Sequence, residues 1–307
     1  MRAHHNKHRG WNPFWAALGA ALLVLLPLVG GTVLFSRRQL RSQLRQAAQS
    51  QRGVAVQLPR ESDRLTVLVC TAGEQPGFVL AYLNASQNCV HLLAIPAGLQ
   101  VAFADGEAAL ADCYAAAGPA RCRQALAGCL PLPEDTRYLA LSAAVLERVT
   151  ARYGPVRVGF SGAMTAGELA RYGRDSKVQG LSAGEAHSFL TTLDADALVP
   201  QAHRAAARGA VWDAFFRQNL DLLPAALPQA LRSVSASLLT DLTALDLDTL
   251  ERTLEFLANN EARIETQTLP GTEEGGHYTL NAESLAAVQS FFNVSPTEGQ
   301  ASSASEP

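Results

Sequence analysis

The sequence predicts an α/β domain built on a central sheet and preceded by one N-terminal transmembrane helix. Two observations predict the domain: three short apolar runs lie between residues 65 and 96, and strand-like and helix-like segments alternate after them. An uncharged apolar run near the N-terminus predicts the transmembrane helix. The chain has 307 residues, 48% of them hydrophobic and 17% charged, so it is large enough to bury a sizeable core.

The apolar run near the N-terminus is the strongest single signal. Residues 13–35 carry no charged side chain, and they are long enough to cross about 30 Å of hydrocarbon as a helix. A cleaved signal peptide would have a shorter apolar core, of roughly 7 to 15 residues, and small residues at its end. This run instead continues to Phe35 and meets Arg37. We therefore expect an uncleaved signal-anchor, although basic residues on both sides leave its orientation open.

The segments around the predicted domain differ from it in composition. Residues 36–62 are polar and arginine-rich, which indicates a stalk between the membrane and a domain at residues 63–294. Residues 295–307 contain too few apolar side chains to fold, so we expect a disordered tail. The chain has 25 Lys and Arg against 28 Asp and Glu, a formal net charge of -3. This balance offers no general basic field, so no nucleic-acid partner is expected.

The elements of the domain follow from local patterns. Nearly continuous apolar runs predict strands that are buried on both faces, at 65–70, 78–84 and 89–96. Alternating signals then predict a helix at 118–130, a strand at 137–142, a helix at 142–155 and a strand at 156–160.

The second half of the domain is predicted to be mostly helical between about residues 198 and 260. Capping-box spacings predict two helix starts, one at Ser182 with Glu185 and one at Asp248 with Glu251. A final unit is predicted to pair a strand at 263–271 with residues 277–281, followed by a helix.

The five cysteines, at positions 70, 89, 113, 122 and 129, do not have a metal-site spacing. Cys122 and Cys129 lie seven residues apart in a predicted helix, about 10 Å from each other and too far for a disulfide. A disulfide between Cys113 and Cys122 requires the chain to turn back between them. Buried free thiols are the alternative, and the sequence leaves both open.

Few residues indicate chemistry on their own. Arg204 and Arg208 lie four residues apart and share a helix face. Two arginines in this arrangement are suited to bind phosphate or carboxylate. Asp194 and Asp196 are suited to a cation, although we expect them to cap the next helix and face water. His187 is expected to be a partly buried residue with a hydrogen-bond partner.

Taken in order, several motifs resemble the extracellular domain of the LytR-CpsA-Psr family. The motifs, which span residues 65 to about 293, are LTVLVC, GFVLAYLN, VHLLAIPAGLQV, ALADCYAAAGP, RYGPV, LSAGEAHSFLT and TLPGTEEGGHYTLNAESLAAVQSFF. The resemblance implies a central mixed sheet flanked by helices around a long apolar groove. It also implies a single-pass protein of the bacterial cell membrane, with residues 1–12 cytoplasmic and the bulk of the chain extracytoplasmic.

Members of this family transfer glycopolymers from polyprenyl-pyrophosphate carriers to peptidoglycan during cell wall biogenesis. Their arginines hold the pyrophosphate, their aspartates bind Mg²⁺, and the groove takes the lipid. The resemblance therefore implies the membrane, a polyprenyl-linked glycan and envelope-assembly proteins as partners.

The family's charged positions are not matched here. A metal-binding aspartate falls on Gly77, and a neighbouring arginine and aspartate fall on Ala97 and Gly98. Two later arginines fall on Thr191 and Leu193. The family's R-x-x-R-Q pattern is represented by Gln201, Arg204 and Ala205.

These replacements lead to our principal expectation, a pseudoenzyme that acts as a binding or accessory module and needs no cofactor. Losing one charged partner of a phosphoryl transition state costs about 3 kcal/mol, roughly a hundredfold in rate. The alternative is an active, Mg²⁺-dependent phosphotransferase, which requires Arg204, Arg208 and an acidic group such as Glu74 or Asp194 to converge. A third interpretation, protein docking alone, predicts a groove that is filled by its own side chains.

Overall fold

A computed structural model describes residues 58–175 and 177–292. The expected anchor at 13–35, the segment at 1–12, the tail at 295–307 and most of the stalk lie outside the described residues. Among the described residues, no helix has both the length and the apolar character that a bilayer span requires.

The described chain begins with five strands, after which helices and strands follow one another along the chain. The strands are β1 (Arg64–Thr71), β2 (Gly77–Asn84), β3 (Cys89–Ile95), β4 (Gln100–Phe103), β5 (Gly106–Ala109), β6 (Arg137–Leu141), β7 (Val156–Val158), β8 (Gln179–Leu181), β9 (Leu239–Thr240), β10 (Arg263–Thr268), β11 (Thr272–Glu274) and β12 (His277–Thr279). The helices are α1 (Leu110–Cys129), α2 (Ala143–Thr150), α3 (Ala166–Arg171), α4 (Ala183–Thr192), α5 (Gln201–Asn219), α6 (Leu223–Val234), α7 (Ala244–Asn259) and α8 (Ala282–Phe292).

A six-stranded mixed sheet occupies the centre, in the order β10-β3-β2-β1-β6-β9. Strand β1 is antiparallel to β2 and parallel to β6, and β3 is antiparallel to β2 and parallel to β10. Every residue of β2 and β3 is buried. The continuous apolar runs of these strands are explained by this burial, because both faces of the sheet are covered.

Helices cover the two faces of the sheet with separate cores. On one face, residues of α1 and α8 such as Leu126 and Val288 pack against Leu80 and Leu93 of the sheet. On the other face, residues of α2, α4, α5, α6 and α7 pack against alternate residues of the same strands. The central mixed sheet flanked by helices is therefore confirmed.

Helix α5 lies close to the sheet because its inward residues are small. Ala205 and Ala207 are fully buried. A Cβ atom at Gly209 would lie 2.9 Å from Thr266 Cγ2 of β10 and 3.3 Å from Ala94 Cβ of β3. The absence of that atom allows the helix to approach these two strands.

Two sequence predictions about the second half are wrong. Helix α7 begins after Thr243, whose side chain accepts a hydrogen bond from the amide of Asp246, so Asp248 lies inside the helix. Strand β10 pairs with β3 rather than with residues 277–281, because parallel pairing with β3 extends the buried sheet. The capping box at Ser182 and Glu185 is confirmed.

The five cysteines are free thiols. Helix α1 bends at Gly118, which has φ 74°, and Cys113 and Cys122 lie on opposite sides of the bend. Burial raises the pKa of both thiols, as it raises the pKa of Cys89 to about 11.

We expect Thr243→Ala to lower the free energy of unfolding by about 1 kcal/mol, because it leaves an amide at the start of α7 without its acceptor. Asp248→Ala is the matched control. Asp248 pairs with Arg232 at the surface. Such an exposed ion pair contributes about 1 kcal/mol at most to the free energy of unfolding. Urea unfolding of both variants checks the assignment, and a larger loss for Asp248→Ala would contradict it.

Candidate functional site

Two arginines of α5 reach the end of the sheet where β3 finishes and β2 starts. Arg208 is completely buried, and its Nη1 donates a hydrogen bond to the carbonyl of Ile95, at 3.4 Å. Arg204, one turn earlier, is also buried. The small residues between them explain this depth, since they bring the helix within reach of the sheet. The two candidate anion-binding residues thus lie together in the protein interior.

Asp194 pairs with both arginines. Arg208 Nη2 donates to its Oδ2, and Arg204 Nη1 lies 3.7 Å from its Oδ1. The Asp194 side chain is only 7% exposed, so the expectation that it faces water is wrong. A buried cation needs a paired anion, and this carboxylate supplies it. Within the described part of the chain, the Nε atoms of both arginines are buried without a hydrogen-bond acceptor.

The turn that carries Asp194 is held by its neighbours. The hydroxyl of Tyr172 donates to the carbonyl of Leu193 at 2.8 Å, and burial raises the pKa of Tyr172 to about 12, so it stays a donor at neutral pH. Arg204 Nη1 also donates to the backbone carbonyl of Asp194, at 3.1 Å. Asp196, by contrast, pairs at the surface with Arg171, with 3.1 Å between Arg171 Nη2 and its Oδ1. Asp194 therefore has a fixed position beside the arginines.

Glycines at two family positions make room for larger side chains. A Cβ atom at Gly77 would lie 2.2 Å from Nε of Arg208. A Cβ atom at Gly98 would lie 2.3 Å from Oε1 of Gln201, which accepts a hydrogen bond from the Gly98 amide at 3.1 Å. The space next to Gly77 and Gly98, where the resemblance would place aspartates, is therefore filled by Arg208 and Gln201.

The remaining family positions are occupied by packing residues. Ala97 is buried in the core beneath α1, and Leu193 is buried in the opposite core. Thr191 lies against Gly73, where a Cβ atom would be 2.5 Å from its Cγ2. Glu74, which the sequence offered as an acidic partner, is exposed.

The Mg²⁺ ion that the family resemblance implies does not fit these residues. Oxygen ligands are required, and Gly77 and Gly98 have no side chain to supply them. Asp194 is already shared by two arginines. Residues 58–175 and 177–292 contain no group of three or more His, Cys, Asp or Glu suited to a metal.

An apolar cavity lies between the sheet and the helices. Its volume is about 70 Å³, and its walls are formed by β1, β2, β3, β6, α2, α5, α6, α7 and the loop residue Leu242. Two lining residues carry a polar side-chain atom: the hydroxyl of Thr150 donates a hydrogen bond to the carbonyl of Leu146, and Nε1 of Trp212 is buried without a hydrogen-bond partner among the described residues. A second apolar cavity, of about 30 Å³, shares Trp212 and Phe215 with the first.

The charged site and the cavity share one face of α5 and one face of β2. Trp212, Phe215 and Phe216 line the cavity, and Trp212 lies one turn, about 6 Å along the axis, after Arg208. On β2, Val79 and Ala81 line the cavity on the same face as Gly77, since alternate residues of a strand share a face. The arrangement places two guanidinium groups and an apolar cavity along the same face of α5.

No protein-family model and no curated protein sequence matches the chain. Solved structures do match its fold. A structure from Eubacterium siraeum aligns with a TM-score of 0.61 at 14% identity, covering 76% of this chain and 93% of that one. TagT bound to LIIa-WTA aligns with a TM-score of 0.57 at 16% identity, over 77% and 93% of the two chains. TagV of Bacillus subtilis aligns with a TM-score of 0.55 at 12% identity, over 75% and 96%. The fold is LytR-CpsA-Psr-like, and at these identities the likeness concerns the fold alone.

The sequence did not predict the contacts of Gln201, and it assigned no role to Glu273. Gln201 links two loops, because its side chain contacts Gly98 and donates to the carbonyl of Gly276 at 2.8 Å. Glu273 accepts from the Gln201 amide at 2.8 Å and so caps the start of α5. These contacts join residues more than 70 positions apart in the sequence, so no local sequence pattern predicts them.

We expect Gly77→Ala to lower the free energy of unfolding by about 1 to 3 kcal/mol, because the added methyl group would overlap Arg208. Gly128→Ala is the control, since a Cβ atom there meets nothing within 4 Å and alanine favours the helix by up to about 1 kcal/mol. Chemical denaturation of the two variants compares the positions. Equal stability of Gly77→Ala and the wild type would show that Arg208 does not fill this space.

Proposed function

We propose that the protein is a membrane-anchored, extracytoplasmic LytR-CpsA-Psr-like protein of bacterial envelope assembly that binds a polyprenyl-linked anionic glycan without transferring it. One observation carries the proposal: an apolar cavity lies along the same face of α5 as Arg204 and Arg208, yet the positions to which the resemblance assigns metal-binding carboxylates are Gly77 and Gly98. The binding parts of a lipid-carrier site are present without the groups that hold its metal.

The cavity suits a prenyl chain. Such a chain offers no hydrogen-bonding group, and a wall of Leu, Val and Phe side chains exposes almost none to it. Each buried CH₂ group contributes about 0.8 kcal/mol, so each part of an isoprene unit that enters the cavity would add to the affinity. Arg208 lies one helical turn before Trp212 and Arg204 two turns before it, which favours a charged head group at that end of α5.

The absence of transfer follows from the missing charges. Phosphoryl transfer relies on cations that neutralise charge as it develops in the transition state. Without carboxylates at positions 77 and 98, a Mg²⁺ ion has no ligands there, and each charged group lost costs about a hundredfold in rate. An active phosphotransferase remains the second candidate, and the convergence of Arg204, Arg208 and Asp194 favours it.

The expected anchor supports the same function. A transmembrane helix at residues 13–35 followed by a stalk would hold the domain near the outer face of the membrane, where lipid carriers present their head groups. TagT, which has this fold, has been captured with LIIa-WTA bound.

The test uses the full chain in lipid nanodiscs. With a polyprenyl-pyrophosphate glycan, peptidoglycan and Mg²⁺, we expect binding of the lipid but no release of polyprenyl monophosphate. Ala81→Leu, which fills part of the cavity, is expected to weaken lipid binding at least about tenfold without lowering the Tm. Ala102→Leu places the same side chain at the exposed position of β4 and should leave binding unchanged.

Two results would contradict the proposal. Mg²⁺-dependent turnover that is lost in Arg204→Gln or Arg208→Gln would establish the active phosphotransferase. Failure of the wild type to bind the lipid would favour a domain that only docks other proteins.

A further inference from the structure

We infer that the free edge of strand β10 is a docking site for an extended, acidic segment of a partner protein, which adds to the six-stranded sheet as a further strand. The inference goes beyond the proposed function, because it concerns a groove that shares no lining residue with the apolar cavity. It commits to one kind of partner, a segment in which two consecutive residues are Asp or Glu.

Strand β10 forms one edge of the central sheet, and only its inner side is paired with another strand. The amide of Arg263 donates to the carbonyl of Asn88 at 3.0 Å, so Arg263 and every second residue after it direct their backbone groups toward β3. The backbone groups that point away from the sheet therefore belong to Ile264, Thr266 and Thr268. Among the described residues, the one partner on that side is Arg217, which donates to the carbonyl of Ile264. An extended peptide adds to an edge strand through free backbone groups of this kind.

A groove of about 550 Å³ lies along this edge. It is lined by residues 263–267 of β10, by Arg217 near the end of α5, and by Ser290 and Phe291 near the end of α8. Helices α5 and α8 pack on opposite faces of the sheet, so their ends flank the edge on both sides. The edge between them is left open, although an edge strand that must not pair is usually covered or strongly blunted.

The charges beside the groove favour an acidic partner. Arg263 Nε lies 3.3 Å from Oε1 of Glu265, and Arg217 Nε donates to Oδ2 of Asp213 at 2.7 Å. Both arginines are half-exposed and keep further N–H groups free for another acceptor. Arg217 belongs to the helix on one face of the sheet, and Arg263 is on the other face, in register with Cys89 of the opposite core. Because successive side chains of a strand point to opposite faces, two consecutive acidic residues would meet both arginines.

One buried polar atom beside the groove has no hydrogen-bond partner. His91 lines the groove and is only 3% exposed. Its Nδ1 lies 2.9 Å from the carbonyl of Phe291, which can only accept, so in the neutral ring Nδ1 carries the proton and Nε2 is an acceptor. Nε2 is buried without a hydrogen bond among the described residues, and Oε2 of Glu265, also an acceptor, lies 3.6 Å away. A hydroxyl on the bound segment would supply the missing donor.

The experiment titrates the full chain in detergent with the peptide acetyl-TSEETV-amide, whose length matches the six residues of β10. The control peptide has glutamines in place of the two glutamates. We expect the acidic peptide to bind about tenfold more tightly than the control, because only its side chains carry charge to pair with the arginines. Arg263→Gln should weaken binding of the acidic peptide about threefold. Arg152→Gln, which replaces an exposed arginine bonded to Gln229, should leave binding unchanged.

Hydrogen exchange at single residues distinguishes an added strand from any other mode of binding. The bound peptide should slow exchange at least about tenfold at the amides that point outward, those of Ile264, Thr266 and Thr268. The amides that already pair with β3 should not change, and these belong to Arg263, Glu265 and Gln267.

Three outcomes would overturn the inference: no binding of the acidic peptide, equal binding of both peptides, or binding that leaves the outward amides unprotected. Protection of these amides before any peptide is added would also overturn it. In that case a dimer in light scattering would assign the edge to a second copy, and a monomer would assign it to another part of the same chain.

Discussion

The guanidinium of Arg208 has no access to solvent. It constrains the architecture of the domain at the end of the sheet where β3 finishes and β2 starts. An unpaired buried charge is destabilising, so the Asp194 carboxylate must reach it, and removing one partner of such a pair costs about 3 to 5 kcal/mol. This requirement fixes the turn between α4 and α5. It also requires glycine at position 77, since any larger residue would compete with Arg208 for space.

The same helix that carries the charge also carries the apolar wall. The first half of α5 has small residues and two arginines, and its second half has Trp212, Phe215 and Phe216 on the continuing stripe. Close approach in the first half is possible because Ala205 is small and Gly209 has no side chain, and the aromatic residues of the second half line the cavity. A single helix therefore carries both the charged residues and part of the apolar wall.

The sequence predicts much of the fold because its signals are local. Apolar runs identify β1, β2 and β3, and the Ser182 capping box identifies α4. Local signals also mislead: Asp248 and Glu251 have capping-box spacing, but the helix had already started at Thr243. The parallel pairing of β10 with β3 joins residues more than 170 positions apart, so no local sequence pattern predicts it.

The site was less predictable, for a related reason. The resemblance located Gly77 and Gly98 as lost positions, but it did not show what fills their space, because Arg208 and Gln201 come from a distant helix. Asp194 has the pattern of an exposed residue before a helix, and only the packing of α5 buries it. Polar residues that pair across the fold have no periodicity of their own.

The buried pair also bears on what an external anion would have to displace at this end of the domain. Asp194 is shared by Arg204 and Arg208, and all three side chains are largely buried. A monoanion that took the place of Asp194 would exchange one single charge for another and would still have to lose its hydration, so it would gain nothing over the carboxylate already present. The internal carboxylate therefore sets the interaction energy that any other partner of these two arginines would have to exceed.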